Sequence, residues 1–282
     1  MKTFILGGCI IFLLGCEGKI RLKGSADAPK EKYLDVDSNT VATRINVPKG
    51  FERMQVDSGS YGAWLRQLPL KDFKEDVKLF DGTNKNTFCH VGVVAMEIGT
   101  TDLQQCADSA IRLYAEFLYH QKKYSAIHFN FTNGMNCDYL HYAQGWRILV
   151  DGNNTQWYKA TGEDFSYKTF RKYLDQVFMY AGSFSLSKEL MPVPLEQIMP
   201  GDMFVYPGFP GHVEVVMDVC VNNKSDERLF LLAQGFTPAQ EIEVLDNLND
   251  SRRSPWYSTE KAHVDSPQMR FENNQLMRFK TQ

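Results

Sequence analysis

Hydrophobic and polar positions repeat with two different periods along this chain, and each change of period marks a new element. Residues 41–47 alternate as a short strand closed by Pro48-Lys49-Gly50, and residues 60–67 have the spacing of a short helix ended by Pro69. Residues 89–98, with the run His90-Val91-Gly92-Val93-Val94, predict a strand. Gly99-Thr100-Thr101-Asp102 then turns the chain, with Asp102 suited to cap a helix. Leu103, Cys106, Ala107, Ala110, Ile111, Tyr114, Phe117 and Leu118 follow at helical spacing, as far as Lys122-Lys123, whose cations suit a helix C-terminus. Residues 127–131 alternate again as a strand. A second helix is predicted over 167–181, with Phe170, Tyr173, Leu174, Val177 and Phe178 inward and Gly182 as its C-cap. The last third is strand-rich: 203–206, 212–221, 229–234, 241–245, 269–271 and 276–279, with Asn222-Asn223-Lys224-Ser225 as a turn. Helices interspersed with strands, ending in an antiparallel run, predict an α+β fold.

The start of the chain follows neither period. Lys2 precedes an apolar run over 4–14, broken only by Gly7 and Gly8 and ending in Leu13-Leu14-Gly15-Cys16. The run is too short to span a bilayer, which takes about 20 apolar residues, and it suits the core of a signal peptide. Leu-Leu-Gly-Cys resembles the site cut by lipoprotein signal peptidases, with a small residue before the cut and a thiol after it to carry diacylglycerol. The expectation is cleavage of residues 1–15, lipid on Cys16, a polar tether over 16–39 and a single α+β globular domain over 40–282. Such a protein is held by its lipid to a membrane of the bacterial cell envelope, at the periplasmic face or the outer surface.

Composition narrows the partners. With 43% hydrophobic and 13% aromatic residues the chain can bury a sizeable core. The net charge is −3, and its lysines and arginines are dispersed, so no nucleic-acid partner is expected. Of six cysteines, Cys9 leaves with the signal and Cys16 takes the lipid. Cys89, Cys106, Cys137 and Cys220 form no Cys-x-x-Cys pair, so neither zinc nor redox chemistry is indicated. They are expected as buried free thiols, with up to two disulfides left open. The sequence has no His-Glu-x-x-His, Gly-x-Gly-x-x-Gly, phosphate loop or Gly-x-Ser-x-Gly, so no metal and no cofactor is expected.

Four segments carry a family resemblance: Val77-Lys78-Leu79-Phe80-Asp81-Gly82, Asp102-Leu103-Gln104-Gln105-Cys106-Ala107-Asp108, Ile127-His128-Phe129-Asn130-Phe131-Thr132 and 231–240, which reads Leu-Leu-Ala-Gln-Gly-Phe-Thr-Pro-Ala-Gln. They resemble a family of Bacteroides-type proteins catalogued as a domain of unknown function, number 4846, which implies no activity. A local resemblance over about 165–245 is to NlpC-type papain-like hydrolases, which cut cell-wall peptides. Met199-Pro200-Gly201-Asp202-Met203-Phe204-Val205 and Gly211-His212-Val213-Glu214-Val215-Val216 stand in the order those enzymes use, ahead of a strand ending in Gln234. The resemblance implies a papain-like core in the C-terminal half behind an N-terminal α/β extension. It makes His212 a general base and Gln234 the group that orients it. The helix-start cysteine of such enzymes corresponds to Phe170, which cannot attack a carbonyl.

The other candidates follow from residue type and place. Cys106, near a helix N-terminus that favours an anion, is the replacement nucleophile. Its neighbours Leu103, Ala107 and Ala110 predict instead a buried structural thiol that resists alkylation. His212 shares a strand face with Glu214. His90, His128, Asn130, Trp146 and Arg147 could line a polar pocket for a peptide or glycan. With Phe170 at the nucleophile position, the sequence favours a non-catalytic module binding envelope peptide or glycan, with an atypical cysteine hydrolase of wall peptide or amide bonds as the alternative.

Overall fold

The computed structural model describes residues 33–280; the expected signal, Cys16 and most of the tether lie outside them. Nine strands make the main sheet: β1 (Phe51–Arg53), β2 (His90–Val93), β3 (Met191–Pro192), β4 (Met203–Tyr206), β5 (His212–Asn222), β6 (Arg228–Gln234), β7 (Glu243–Leu245), β8 (Tyr257–Ser258) and β9 (Leu276–Arg278). Their order is β2-β7-β6-β5-β4-β9-β3, with β1 also on β5 and β8 also on β6, and the pairings are antiparallel. Among the described residues there are six α-helices: α1 (Val41–Arg44), α2 (Tyr61–Arg66), α3 (Cys106–His120), α4 (Tyr139–Ala143), α5 (Tyr167–Tyr180) and α6 (Ser183–Glu189). The fold is mixed α+β around a large antiparallel sheet, as the pattern predicts. None of these helices is long and apolar enough to cross a membrane.

The strand alternation sorts the sheet into two cores. Val213, Val215, Leu231 and Ala233 join the larger core, which includes Ala110, Ile111 and Tyr114 of α3. Val216, Phe230 and Leu232 face the other way, into a smaller core with Phe204, Phe271 and Leu276. Burying side chains of this size contributes roughly 1.5–3 kcal/mol each, which keeps α3 pressed on β5. Fully buried Asp218 of β5 accepts from Arg53 Nε at 2.7 Å and Arg66 Nε at 2.6 Å, tying β1 and α2 to the same strand.

The structure corrects several expected boundaries. Residues 41–44 form a helix rather than a strand, because the Thr40 hydroxyl accepts from the Thr43 N–H and caps it. The strand expected over 89–98 narrows to His90–Val93. Gly182 is extended and precedes α6 instead of capping α5 in the left-handed region. A hairpin of Trp146–Asp151 with Asn154–Lys159, not expected from the sequence, stands beside α4. The long helix begins at Cys106, later than its periodicity suggests. The Asp102 carboxylate is engaged elsewhere, accepting from the Ala239 N–H at 2.7 Å and from Gln105 Nε2 at 3.2 Å. Asp108 accepts from the Gln105 N–H at 3.0 Å and closes the first turn from the inside.

Helix α5 is also placed differently. Its inward residues are those expected, but it packs on α3 and α4. The Phe170 ring stacks on Tyr119 of α3 at 4.3 Å and meets Tyr139 of α4 edge-on at 5.4 Å. The helices that lie on the His212 strand are α3 and α2.

Candidate active site

His212 opens β5, directly after Pro210-Gly211, and is buried. Side chains two apart on a strand share a face, so Glu214 lies beside it. Val215 is paired with Ala233, which puts Gln234 opposite Glu214 one step further along the ladder. Gln234 is in turn paired with Glu243 of β7. Directly opposed residues of antiparallel strands point the same way. One row of buried polar side chains therefore crosses three strands, with His212 at its end.

The hydrogen bonds along this row fix the imidazole. Gln234 Oε1 lies 2.7 Å from His212 Nε2, and Glu214 Oε1 lies 3.3 Å from the same nitrogen. Gln234 Nε2 donates to Glu243 Oε1 at 2.9 Å and to Gln268 Oε1 at 2.8 Å, so the amide can turn only its oxygen toward the histidine. His212 Nε2 must then carry a hydrogen, and Nδ1 is the nitrogen left for a second partner. The ring is stacked on Phe271, centroids 6.1 Å apart, with Phe236 edge-on at 5.4 Å. Ser266 donates to Glu214 Oε1.

The second partner is Cys106. Its thiol lies close enough to the His212 ring to favour the charged imidazolium, and its sulfur donates to the Gly211 carbonyl oxygen at 3.8 Å. Cys106 is the first residue of a 15-residue helix, where the first N–H groups have no partner in the helix and the dipole favours an anion. The thiol is half-buried, whereas Cys89, Cys137 and Cys220 are buried; all four are free. Cys106 is thus less hidden than its neighbours Leu103, Ala107 and Ala110 predict. Two glycines let the pieces approach. A Cβ on Gly235, after β6, would fall 2.1 Å from Ser109 Oγ and 3.0 Å from the Gln105 carbonyl oxygen. A Cβ on Gly211 would fall 2.0 Å from Ser183 Oγ.

The electrostatics follow from this placement. Burial alone would lower the basicity of His212, but its hydrogen bond to Cys106 and the hydrogen bond and charge of Glu214 push its pKa up to about 10. A buried histidine in this setting carries its proton through neutral pH. Asp108, in the first turn of α3, is pushed by burial up to about 8 against the pull of its backbone hydrogen bonds.

Of the residues singled out from sequence, Cys106, His212 and Gln234 come together. His90 of β2 joins the margin of the cluster, with Nδ1 3.7 Å from Glu243 Oε2. The others do not share its pocket. His128 and Asn130 lie on one hairpin strand beside α6, where His128 Nδ1 is 3.7 Å from Glu189 Oε2 and the Asn130 backbone N–H donates to Glu189 Oε1 at 2.7 Å. Arg147 stacks on the Tyr142 ring at 3.7 Å, and Trp146 lies under Lys159. Residues that the sequence did not single out are Lys85, Asp108, Glu243, Ser266 and Gln268. Glu243 alternates with apolar Ile242 and Val244, a pattern that reads as a solvent-facing carboxylate, and its burial shows only in the structure.

Cavities of about 220 and 370 Å³ lie elsewhere, one around Trp256 and His263 and the other around Trp64 and Arg112. Gly211, whose carbonyl oxygen lies 3.8 Å from the Cys106 sulfur, follows an exposed stretch over 206–210, with Phe209 fully exposed.

Comparison with curated proteins and with solved structures gives no match. A family model described as domain of unknown function (4846) matches residues 41–278, which takes in every element of the sheet and both partners of the thiol–imidazole pair. The chain belongs to that family.

Proposed function

We propose that this domain is a cysteine hydrolase of papain-like design, cutting amide bonds of envelope peptides while lipid on Cys16 holds it at a membrane. The observation that carries this reading is the contact of a helix-start thiol with an imidazole whose far nitrogen is fixed by an amide oxygen. A helix N-terminus on an antiparallel sheet, a histidine opening one strand and a polar residue closing the next are the parts a papain-like site requires. The nucleophile comes from α3 rather than from the helix of Phe170, so the loss of cysteine there no longer argues against catalysis. The leader with Leu13-Leu14-Gly15-Cys16 supports the anchor.

In this mechanism the Cys106 sulfur attacks the substrate carbonyl carbon as its thiolate, with His212 as imidazolium. Charge gathering on the carbonyl oxygen is stabilised by N–H groups at the start of α3. The C–N bond breaks as His212 passes its proton to the leaving amine, leaving a thioester on Cys106. Water then adds, giving one proton to His212, and the C–S bond breaks to release the acid and restore the ion pair. Glu214 and Gln234 hold the imidazole through both steps. A site that opens beside exposed chain, rather than on the floor of a deep cavity, suits a polymer segment lying across it.

The test is release of new amino groups from peptides of digested cell wall. Cys106→Ala should abolish release and leave the fold unchanged. Binding of the same peptides by wild type, with no release at any pH, would establish the non-catalytic alternative.

A further inference from the structure

The row of buried polar groups continues past Gln234, and its continuation has a consequence for the chemistry. Glu243 Oε1 accepts from Gln234 Nε2 at 2.9 Å, from Gln240 Nε2 at 3.1 Å and from the ammonium of Lys85. The Glu243 side chain is fully buried and that of Lys85 nearly so, and Lys85 also faces the Phe236 ring at 5.8 Å. A charged pair removed from water costs several kcal/mol per ion unless geometry and further hydrogen bonds offset it. Its strand neighbours Val244 and Leu245 are apolar and buried, and His90 Nδ1 on the paired strand lies 3.7 Å from Glu243 Oε2.

Resting on the hydrolase reading above, we propose that Glu243, balanced by Lys85, is a positioning residue that acts through Gln234 to keep His212 in its catalytic protonation form. An amide side chain has two orientations of nearly equal shape. With a carboxylate at its nitrogen, only one is allowed, and the oxygen faces His212 Nε2. Without that carboxylate the amide can turn its NH2 toward the ring. His212 Nε2 then becomes an acceptor, the hydrogen moves to Nδ1, and the ring can neither take the thiol's proton nor remain an imidazolium. Gln268, the second acceptor for Gln234 Nε2, is half-buried on a loop, with its own Nε2 3.2 Å from Cys89 Sγ.

The experiment is alkylation of Cys106 by iodoacetamide in the folded protein as a function of pH, which needs no substrate. The charged groups facing His212 are Cys106 from α3 and Glu214 from its own strand, and both are unchanged in every variant used. Glu243→Gln should lower the rate at neutral pH at least roughly tenfold, because a turned amide takes from Nε2 the acceptor that the imidazolium needs, and move the profile toward that of a free thiol. In a Gln234→Met background the same substitution should change nothing further, because the two act as one unit. If Glu243→Gln alone fails to fold, the paired Lys85→Met and Glu243→Gln protein removes both charges together and should show the same profile. Wild-type reactivity with an unshifted profile in folded variants, or effects that add in the Gln234→Met background, would overturn the proposal while leaving the hydrolase reading intact. A wild-type Cys106 that behaves as an ordinary thiol would overturn both.

Discussion

Gly235 lies so close to the first turn of α3 that a Cβ on it would fall 2.1 Å from Ser109 Oγ. This contact sets the distance between the end of β6, which carries Gln234, and the helix end that carries Cys106. Gly235→Ala should turn the Ser109 hydroxyl aside and press on the Gln105 carbonyl, at a cost of about 1–3 kcal/mol for overpacking. The expected outcome is a folded protein in which Cys106 loses most of its reactivity toward iodoacetamide. Measuring melting and alkylation together checks this; a variant as reactive as wild type would show that the approach at Gly235 serves packing alone.

Asp108 gives a pH signature of stability. Its pKa is 3.8 when unfolded and about 8 in the fold, so the folded state prefers the neutral acid. A raised carboxyl favours folding in full below 3.8, and its contribution is lost as pH rises toward 8. Asp108→Asn keeps the shape without the charge. Urea unfolding should find the variant more stable than wild type at pH 8, with a difference that shrinks toward pH 4. A difference independent of pH would contradict the assignment.

His212 titrates in the adjoining window. Its pKa rises from 6.5 unfolded to about 10 folded, so the stabilisation from its charged form is complete below 6.5 and disappears as pH rises through 10. His212→Gln should flatten the fall in stability between these limits and remove the reactivity of Cys106 at neutral pH. Persistence of the full slope in the variant would assign it to other groups.

The sheet was largely legible from sequence because its alternation is strict. The strands around 203–206, 212–222 and 228–234 fall where period two predicts, and His212 with Glu214 shares the face expected. The N-terminus of α3 was not legible. Leu103 and Cys106 continue the helical spacing, yet Asp102 is drawn away by the Ala239 N–H, a partner 137 residues distant. With Asp102 held there the helix starts at Cys106, and this cysteine is half-buried rather than in the core. The pairing of Gln234 with Glu243 was hidden for a related reason: register between strands is set in three dimensions, and periodicity reports only the face.

Phe170 tests the competing alignment. Its ring is fully buried among Tyr119, Tyr139 and Tyr173, so Phe170→Ala should cost about 3–5 kcal/mol of stability, the range for truncating a core aromatic. Below its melting point the variant should keep the alkylation rate of Cys106 near that of wild type. A selective loss of Cys106 reactivity would place α5 closer to the site than its packing on α3 and α4 implies.

The central claim is that Cys106 is a nucleophile paired with His212, and the direct measurement is the rate of carboxamidomethylation at each thiol of the native protein, read by peptide mass spectrometry at neutral pH. Burial pushes the thiols of Cys137 and Cys220 up, which should protect them, and Cys89 is buried as well. The account predicts that Cys106 is modified first, faster than free cysteine, and that His212→Gln slows it while the other three stay unmodified. Modification of Cys106 no faster than that of Cys89, Cys137 or Cys220 in the folded protein would contradict it.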